Sequence, residues 1–164
     1  MSVQPQELLI DPALIGELDS HDRIGCELVA EALRAGAETQ VRVMGTSMLP
    51  ALWPGDILVV RGGLPVTPGD VVLFMRCGRL FAHRLVRHSA GELITRGDAL
   101  AHCDPPVQVS ELLGVMVGVV RRGLGRLPAR SPSVVQRLAA LAIRRSELIY
   151  RLALRWHSAR SRLG

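Results

Sequence analysis

Short β-like runs dominate residues 40 to 121 and restrict the fold more than any other feature of the chain. They read QVRVMG, GDILVV, GDVVLFMR, RLFAHRLVRH, ELITRGD and LLGVMVGVVRR, with Gly or Pro at almost every junction. Such punctuated apolar runs are typical of strands joined by tight turns. Because only 3% of residues are aromatic, the core must be built from aliphatic side chains. The sequence therefore predicts a small, coiled β-sheet domain.

Turn signals support this interpretation. The tripeptide Pro-Gly-Asp occurs at 54–56 and again at 68–70, and each copy precedes an apolar run. Pro and Gly preset the dihedral angles of a turn, and Asp bonds to nearby backbone. Cys77-Gly78, between two further runs, predicts a tight hairpin.

Two helices are predicted to flank the sheet. Residues 20–35 have helical apolar periodicity, with Ser20 as a cap and Gly36 as a stop. The predicted organisation is an N-terminal segment with one helix (1–39), a β domain (40–121), a linker (122–132) and a basic amphipathic helix (133–164). The fold class is mainly β (α+β).

Positive charge is concentrated at the C-terminus. All 20 basic residues are arginine, and 8 of them lie in 129–164, opposed there by one acidic residue. Helical spacing places five on one ridge: Arg137, Arg144, Arg151, Arg155 and Arg162. Peripheral membrane contact through 133–164, a partner, or packing on the sheet would all produce this pattern. The few aromatic residues argue against a nucleic-acid partner.

No targeting or metal-binding pattern is evident. The N-terminus is acidic before Arg23, unlike a secretory signal, and the longest apolar run, 112–120, is too short to span a bilayer. A cytoplasmic or peripherally membrane-associated protein is expected, with no signal peptide or transmembrane helix. The three cysteines lack metal-ligand spacing, so free thiols, no metal and no cofactor are expected.

A lone serine, Ser47, lies in the segment GTSMLP between two predicted strands. Gly45 and Pro50 flank it and favour a fixed, non-regular backbone that presents the hydroxyl outside a strand. A serine becomes an effective nucleophile only beside a base and donors for an oxyanion. Without such partners, a turn is the simpler explanation of this segment.

Candidate partners for the serine lie further along the chain. On an alternating strand His83 shares a face with Phe81 and Leu85, among apolar side chains, where it is either a buried core histidine or a base. Asp98 and Asp104 lie in the polar segment TRGDALAHCDPP. An acid can orient an imidazole, although loop acids more often cap turns.

Taken in order, GTSMLPAL, GDVVLF with HRLV, and TRGDALAHCD resemble the signal peptidase I superfamily, which also contains LexA-type self-cleaving repressors. The resemblance covers roughly residues 40 to 120. It implies a barrel-like domain of the signal peptidase type, with the nucleophile in Ser-Met-x-Pro at Ser47.

The histidine places the resemblance closest to one branch of that superfamily. Bacterial enzymes and repressors there use a lysine base, whereas the endoplasmic-reticulum and archaeal type has His-Arg. This chain has His83-Arg84 and no lysine. The resemblance therefore implies Ser47 as nucleophile, His83 as base, Asp104 as the acid that orients it, and Asp98 in support.

The chain departs from the family pattern in three respects. Relatives often carry a hydroxyl two residues before the nucleophile, where this chain has Gly45, so the oxyanion site would rest on backbone N–H groups, chiefly that of Ser47. Ala99-Leu100 replaces the usual Asn-Asn, and the membrane anchor typical of signal peptidases is not predicted in this sequence. The residues expected to shape the substrate and oxyanion site are Gly45, Thr46, Met48 and Pro50.

The resulting expectation is a serine endopeptidase that cleaves a precursor peptide or protein, which adds to the sheet as an edge strand. Three alternatives remain. The chemistry fits a soluble maturation protease for a dedicated precursor. A self-cleaving regulator would need a DNA-binding domain and a lysine. A catalytically silent binding module would have no need of these residues together.

Overall fold

The computed structural model describes residues 23–121, 123–126, 139–142 and 155. Over these ranges the chain is mainly β, as predicted, with one antiparallel sheet of eight strands. The elements are α1 (Arg23–Arg34), β1 (Glu38–Arg42), β2 (Ile57–Arg61), β3 (Val71–Arg76), β4 (Arg79–Ser89), β5 (Glu92–Arg96), β6 (Val107–Gln108), a 3-10 turn (Val109–Glu111), β7 (Leu112–Arg121) and β8 (Leu124–Arg126).

The sheet is open, unlike the barrel-like closure that the family resemblance implies. Its order is β1-β2-β7-β3-β4-β5-β6, with β8 added to β7. Four successive antiparallel pairings lead from β1 to β4, so these two strands run parallel. Segments 41–45 and 79–83 line the same cavity, which means that the sheet curls and brings β1 opposite the first half of β4.

The two Pro-Gly-Asp segments form equivalent turns. The Asp56 N–H donates to the Trp53 carbonyl at 3.0 Å, and the Asp70 N–H donates to the Thr67 carbonyl at the same distance. In return, the N–H of Trp53 and that of Thr67 each donate to the aspartate carboxylate at 2.8 Å. Both glycines have φ near +90 to +100°, a region that glycine adopts without steric cost.

The predicted hairpin is confirmed between β3 and β4. Arg76 pairs with Arg79, and the two residues between them, Cys77 and Gly78, have φ of 52° and 71°. Positive φ at both central residues matches the twist of the flanking strands.

Aliphatic side chains fill both faces of the curled sheet. On one face α1 packs through Val29, Ala30 and Leu33 against residues of β2, β3 and β7. A smaller cluster on the other face includes Val72, Phe74 and Leu85. Burial of apolar area therefore stabilises both faces of the sheet, by roughly 25 cal/mol per Å² buried.

Several predictions fall largely outside the described residues. Ser20, most of the linker 122–132 and most of the helix 133–164 lie there; residues 139–142 and Arg155 are helical. The division into domains stays a prediction. Among the described residues, no helix combines the length and apolarity needed to cross a membrane.

Candidate active site

Ser47 lies in a tight turn between β1 and β2. The N–H of Leu49 donates to the Thr46 carbonyl at 3.2 Å, and that of Leu52 donates to the Met48 carbonyl at 3.0 Å. Met48, Leu49 and Leu52 are buried. These apolar anchors fix the turn, so the position of the serine is set by the core.

The loop after β5 docks against the same turn. The Ala99 N–H donates to the Ser47 carbonyl at 2.8 Å. A Cβ at Gly97 would lie 2.6 Å from that carbonyl oxygen, which is closer than carbon and oxygen approach in proteins. Gly97 is required because two backbone segments meet at this point.

His83 lies on β4 with its imidazole 2.9 Å from Ser47, measured from Nε2 to Oγ. Its other nitrogen, Nδ1, lies 2.7 Å from Asp104 Oδ2. The residue is 6% exposed, and its ring is within 6.5 Å of the Phe74 and Phe81 rings by centroid distance. The structure thus brings together a hydroxyl, an imidazole and a carboxylate in one hydrogen-bonded row.

The row has a defined polarity. An ionised carboxylate only accepts hydrogen bonds, so the Asp104 contact assigns the proton of a neutral imidazole to Nδ1. Nε2 then presents its lone pair to the Ser47 hydroxyl, which donates. This arrangement lets the imidazole remove the hydroxyl proton while the carboxylate stabilises the imidazolium that forms.

Thr95, which the sequence analysis did not identify, holds the carboxylate of Asp104. Its hydroxyl donates to Asp104 Oδ2 at 2.6 Å, and its carbonyl accepts from the Asp104 N–H at 2.9 Å. Thr95 is fully buried. A threonine facing inward on β5 gives no signal in the sequence beyond a polar residue at a core position.

Asp98 pairs with Arg84 rather than with His83. Arg84 Nε and Nη2 donate to the two carboxylate oxygens at 2.8 and 2.7 Å, and Nη1 donates to the Gly69 carbonyl at 2.8 Å. Both side chains are nearly buried. This bidentate pair links the 97–99 loop to the strand that carries His83. Asp98 therefore helps to position the site and does not contact His83.

A second arginine holds the segment that follows Asp104. Arg76 forms a bidentate pair with Glu111 at 2.8 Å for both bonds and donates to the Pro106 carbonyl at 2.8 Å. The hydrogen bond from Arg76 lowers the pKa of Glu111 to about 2. The same bond raises the pKa of Arg76.

A cavity of about 310 Å³ opens beside Ser47 and His83. Gly45 and Met48 line it, whereas Thr46 and Pro50 belong to the turn behind and are not lining residues. A Cβ at Gly45 would meet nothing within 4 Å. The Ser47 N–H donates to no acceptor within the described part of the chain.

Two strand edges border this cavity. β1 pairs only with β2 in the described sheet. Residues 79–83 of β4 pair with β3 on one side, and the pairing of β4 with β5 begins only at Arg84. Their outward N–H and C=O groups are therefore oriented toward the cavity region, where they can bind an extended peptide.

No group of His, Cys, Asp and Glu residues suited to a metal occurs in the ranges that the structure describes. Cys26 is buried, Cys77 and Cys103 are exposed, and all three are free thiols.

Comparison with known proteins gave one family. The sequence model described as Peptidase S24-like matches residues 15–100, slightly more than half of the chain. The matched range includes Ser47, His83 and Asp98 and ends before Asp104. No curated protein matches the chain.

Proposed function

The chain belongs to the Peptidase S24-like family, and from that we propose that it is a serine endopeptidase of the signal peptidase type acting on an extended precursor peptide. One observation carries the proposal: His83 lies within hydrogen-bond distance of both Ser47 Oγ (2.9 Å) and Asp104 Oδ2 (2.7 Å). These distances match the reach required between a nucleophile, its base and the group that orients the base.

In the proposed mechanism Ser47 Oγ attacks the peptide carbonyl carbon as its proton moves to His83 Nε2. Asp104 keeps the proton on Nδ1 and stabilises the imidazolium. The imidazolium then gives its Nε2 proton to the leaving amine, and the C–N bond breaks to leave an ester on Ser47. Water, deprotonated by the same nitrogen, hydrolyses that ester and restores the hydroxyl.

The developing oxyanion needs donors that are already in place. We assign this role chiefly to the Ser47 N–H, because it has no acceptor among the described residues and belongs to a turn fixed by buried side chains. Thr46, Met48 and Pro50 hold that turn.

The base assignment favours the histidine branch of the superfamily. The sequence contains no lysine, so a serine and lysine pair cannot form. Arg84, next to His83, is committed to Asp98 and Gly69 and is too basic to accept a proton.

The substrate is proposed to bind as a strand between β1 and the first half of β4. Backbone groups of the two edges would hold the peptide, and alternate side chains would enter the cavity. The part of the cavity that these side chains would enter is lined by Val41, Val43, Leu80 and Ala82. Small apolar side chains are therefore expected next to the cleaved bond.

A proteome-derived peptide library tests the proposal, with new termini identified by mass spectrometry. Wild-type protein is expected to cut it, and Ser47→Ala and His83→Ala are expected to lose at least about 10³-fold in rate. His88→Ala is the matched control, since His88 is exposed on the same strand and should keep wild-type activity. Cleavage by Ser47→Ala, or none by the wild type, would leave a binding module as the better description.

A further inference from the structure

The two strands that border the proposed peptide groove carry the same kinds of outward side chain, an apolar residue and an arginine on each. Two apolar residues, Met44 just after β1 and Phe81 on β4, alternate with Val43, Leu80 and Ala82 next to the serine end. Arg42 and Arg79 follow in the same alternation, and all four residues also line the cavity. Met44 and Phe81 are 46% and 37% exposed. Since β1 and β4 run parallel, the apolar side chain precedes the arginine on both strands as one moves away from Ser47 and His83.

Arg42 and Arg79 have no charge partner among the residues that the structure describes. Among the described residues no carboxylate lines the cavity, and neither the Arg42 nor the Arg79 side chain takes part in an ion pair or hydrogen bond. Glu38, on the same face of β1, is already paired with Arg61 at 2.7 Å. The two guanidinium groups are therefore available to an anionic group of a bound peptide.

Strand geometry gives the position of that group. Arg79 precedes His83 by four residues and Arg42 precedes Ser47 by five, at about 3.3 Å per residue. In the proposed binding mode, the first and third residues before the cleaved bond face the cavity. Because side chains alternate along a strand, the second and fourth then face outward. Phe81 and Met44 then flank the second residue, and Arg79 and Arg42 flank the fourth.

We infer that the enzyme selects substrates by two residues on the N-terminal side of the cleaved bond. The fourth residue before the bond is acidic, and the second is apolar. This inference rests on the proposed endopeptidase function and names its substrate class. Because both arginines are exposed, screened charges, the preference is expected to be about five- to tenfold in kcat/KM. It should weaken at high salt.

The test uses the library cleavage sites and then three matched peptides that differ only by Glu, Gln or Lys at the fourth position. Wild-type protein is expected to favour Glu about five- to tenfold. Arg42→Glu with Arg79→Glu should reverse the choice in favour of Lys, since introduced repulsion changes specificity as strongly as lost attraction. Arg34→Glu, a change of the same charge on α1 outside the cavity lining, should leave the preference intact.

The outcomes separate the two proposals. Cleavage that depends on Ser47 but shows no acidic preference, or a preference unchanged in the doubly substituted protein, overturns this inference and leaves the peptidase function standing. If no cleavage depends on Ser47, the proposed function is refuted and the inference with it. Circular dichroism verifies that each variant is folded, as expected for exposed side chains.

Discussion

Gly97→Ala should slow catalysis in a protein that still folds, because it disturbs the site mainly through backbone packing. The added methyl group would lie 2.6 Å from the Ser47 carbonyl oxygen and 3.0 Å from the Leu100 side chain. A carbon and an oxygen need about 3.3 Å, so the two backbone segments must separate by roughly 0.7 Å. Leu100 can rotate, but the carbonyl belongs to the turn that carries the nucleophile.

The consequence for catalysis follows from the geometry. If the turn takes up the shift, the Ser47 to His83 distance grows from 2.9 Å to roughly 3.6 Å, beyond hydrogen-bond reach. A displacement near 1 Å costs on the order of 10²-fold in rate, so kcat/KM should fall about 10- to 100-fold. Overpacking should also lower the free energy of unfolding by about 1 to 3 kcal/mol.

The assay measures kcat/KM on one peptide from the library, at a temperature where circular dichroism shows the variant fully folded, together with urea unfolding. Gly125→Ala is the control, since a Cβ there meets nothing within 4 Å; it should stay within about twofold of wild type, as surface substitutions usually do. A folded Gly97→Ala protein with wild-type kcat/KM would refute the view that this contact positions the serine.

Three further predictions concern single contacts. Gly45→Ser places a hydroxyl in open space near the proposed oxyanion site and should raise kcat several-fold, whereas Gly45→Ala should not. Thr95→Val removes the 2.6 Å bond to Asp104; urea unfolding should show a loss of about 1.5 to 3 kcal/mol, and Thr95→Ser should recover most of it. The pKa of Glu111 is lowered from 4.5 to about 2, so its pair with Arg76 stabilises the fold above pH 4.5 and is lost as the pH falls toward 2. The free energies of unfolding of wild type and Glu111→Gln, measured with urea, should therefore differ by about 1 kcal/mol near pH 7 after allowance for solvent screening. They should converge near pH 2, and a difference that stays constant with pH would contradict this.

Local sequence signals predicted local structure well. The Pro-Gly-Asp turns and the Cys77-Gly78 hairpin follow from dihedral preferences of a few adjacent residues, and the structure confirms the hairpin and the mainly β fold. The strand over which His83 alternates was likewise expected, because period-two patterning specifies which side chains share a face.

Patterning does not specify which strands become neighbours. β7 pairs between β2 and β3 although it follows both by about 40 residues or more, and only the family resemblance linked Ser47 with His83, 36 residues apart. The Arg84 pair with Asp98 and the Thr95 bond to Asp104 depend on this non-local pairing. They could not be predicted because any loop acid can cap its own turn. The role of residues 133–164 at a membrane stays a prediction.

The curled, open sheet has a consequence for solubility. Unpaired strand edges usually act as templates for aggregation, and proteins shorten or cover them. Here β6, at one end of the sheet, has only two residues, while the edge of β1 borders a cavity opposite β4. A folded copy of the protein would have to insert a single strand into that cleft to pair with it. Under the proposed function, this edge is open to a flexible peptide, while pairing of two folded copies through it is disfavoured.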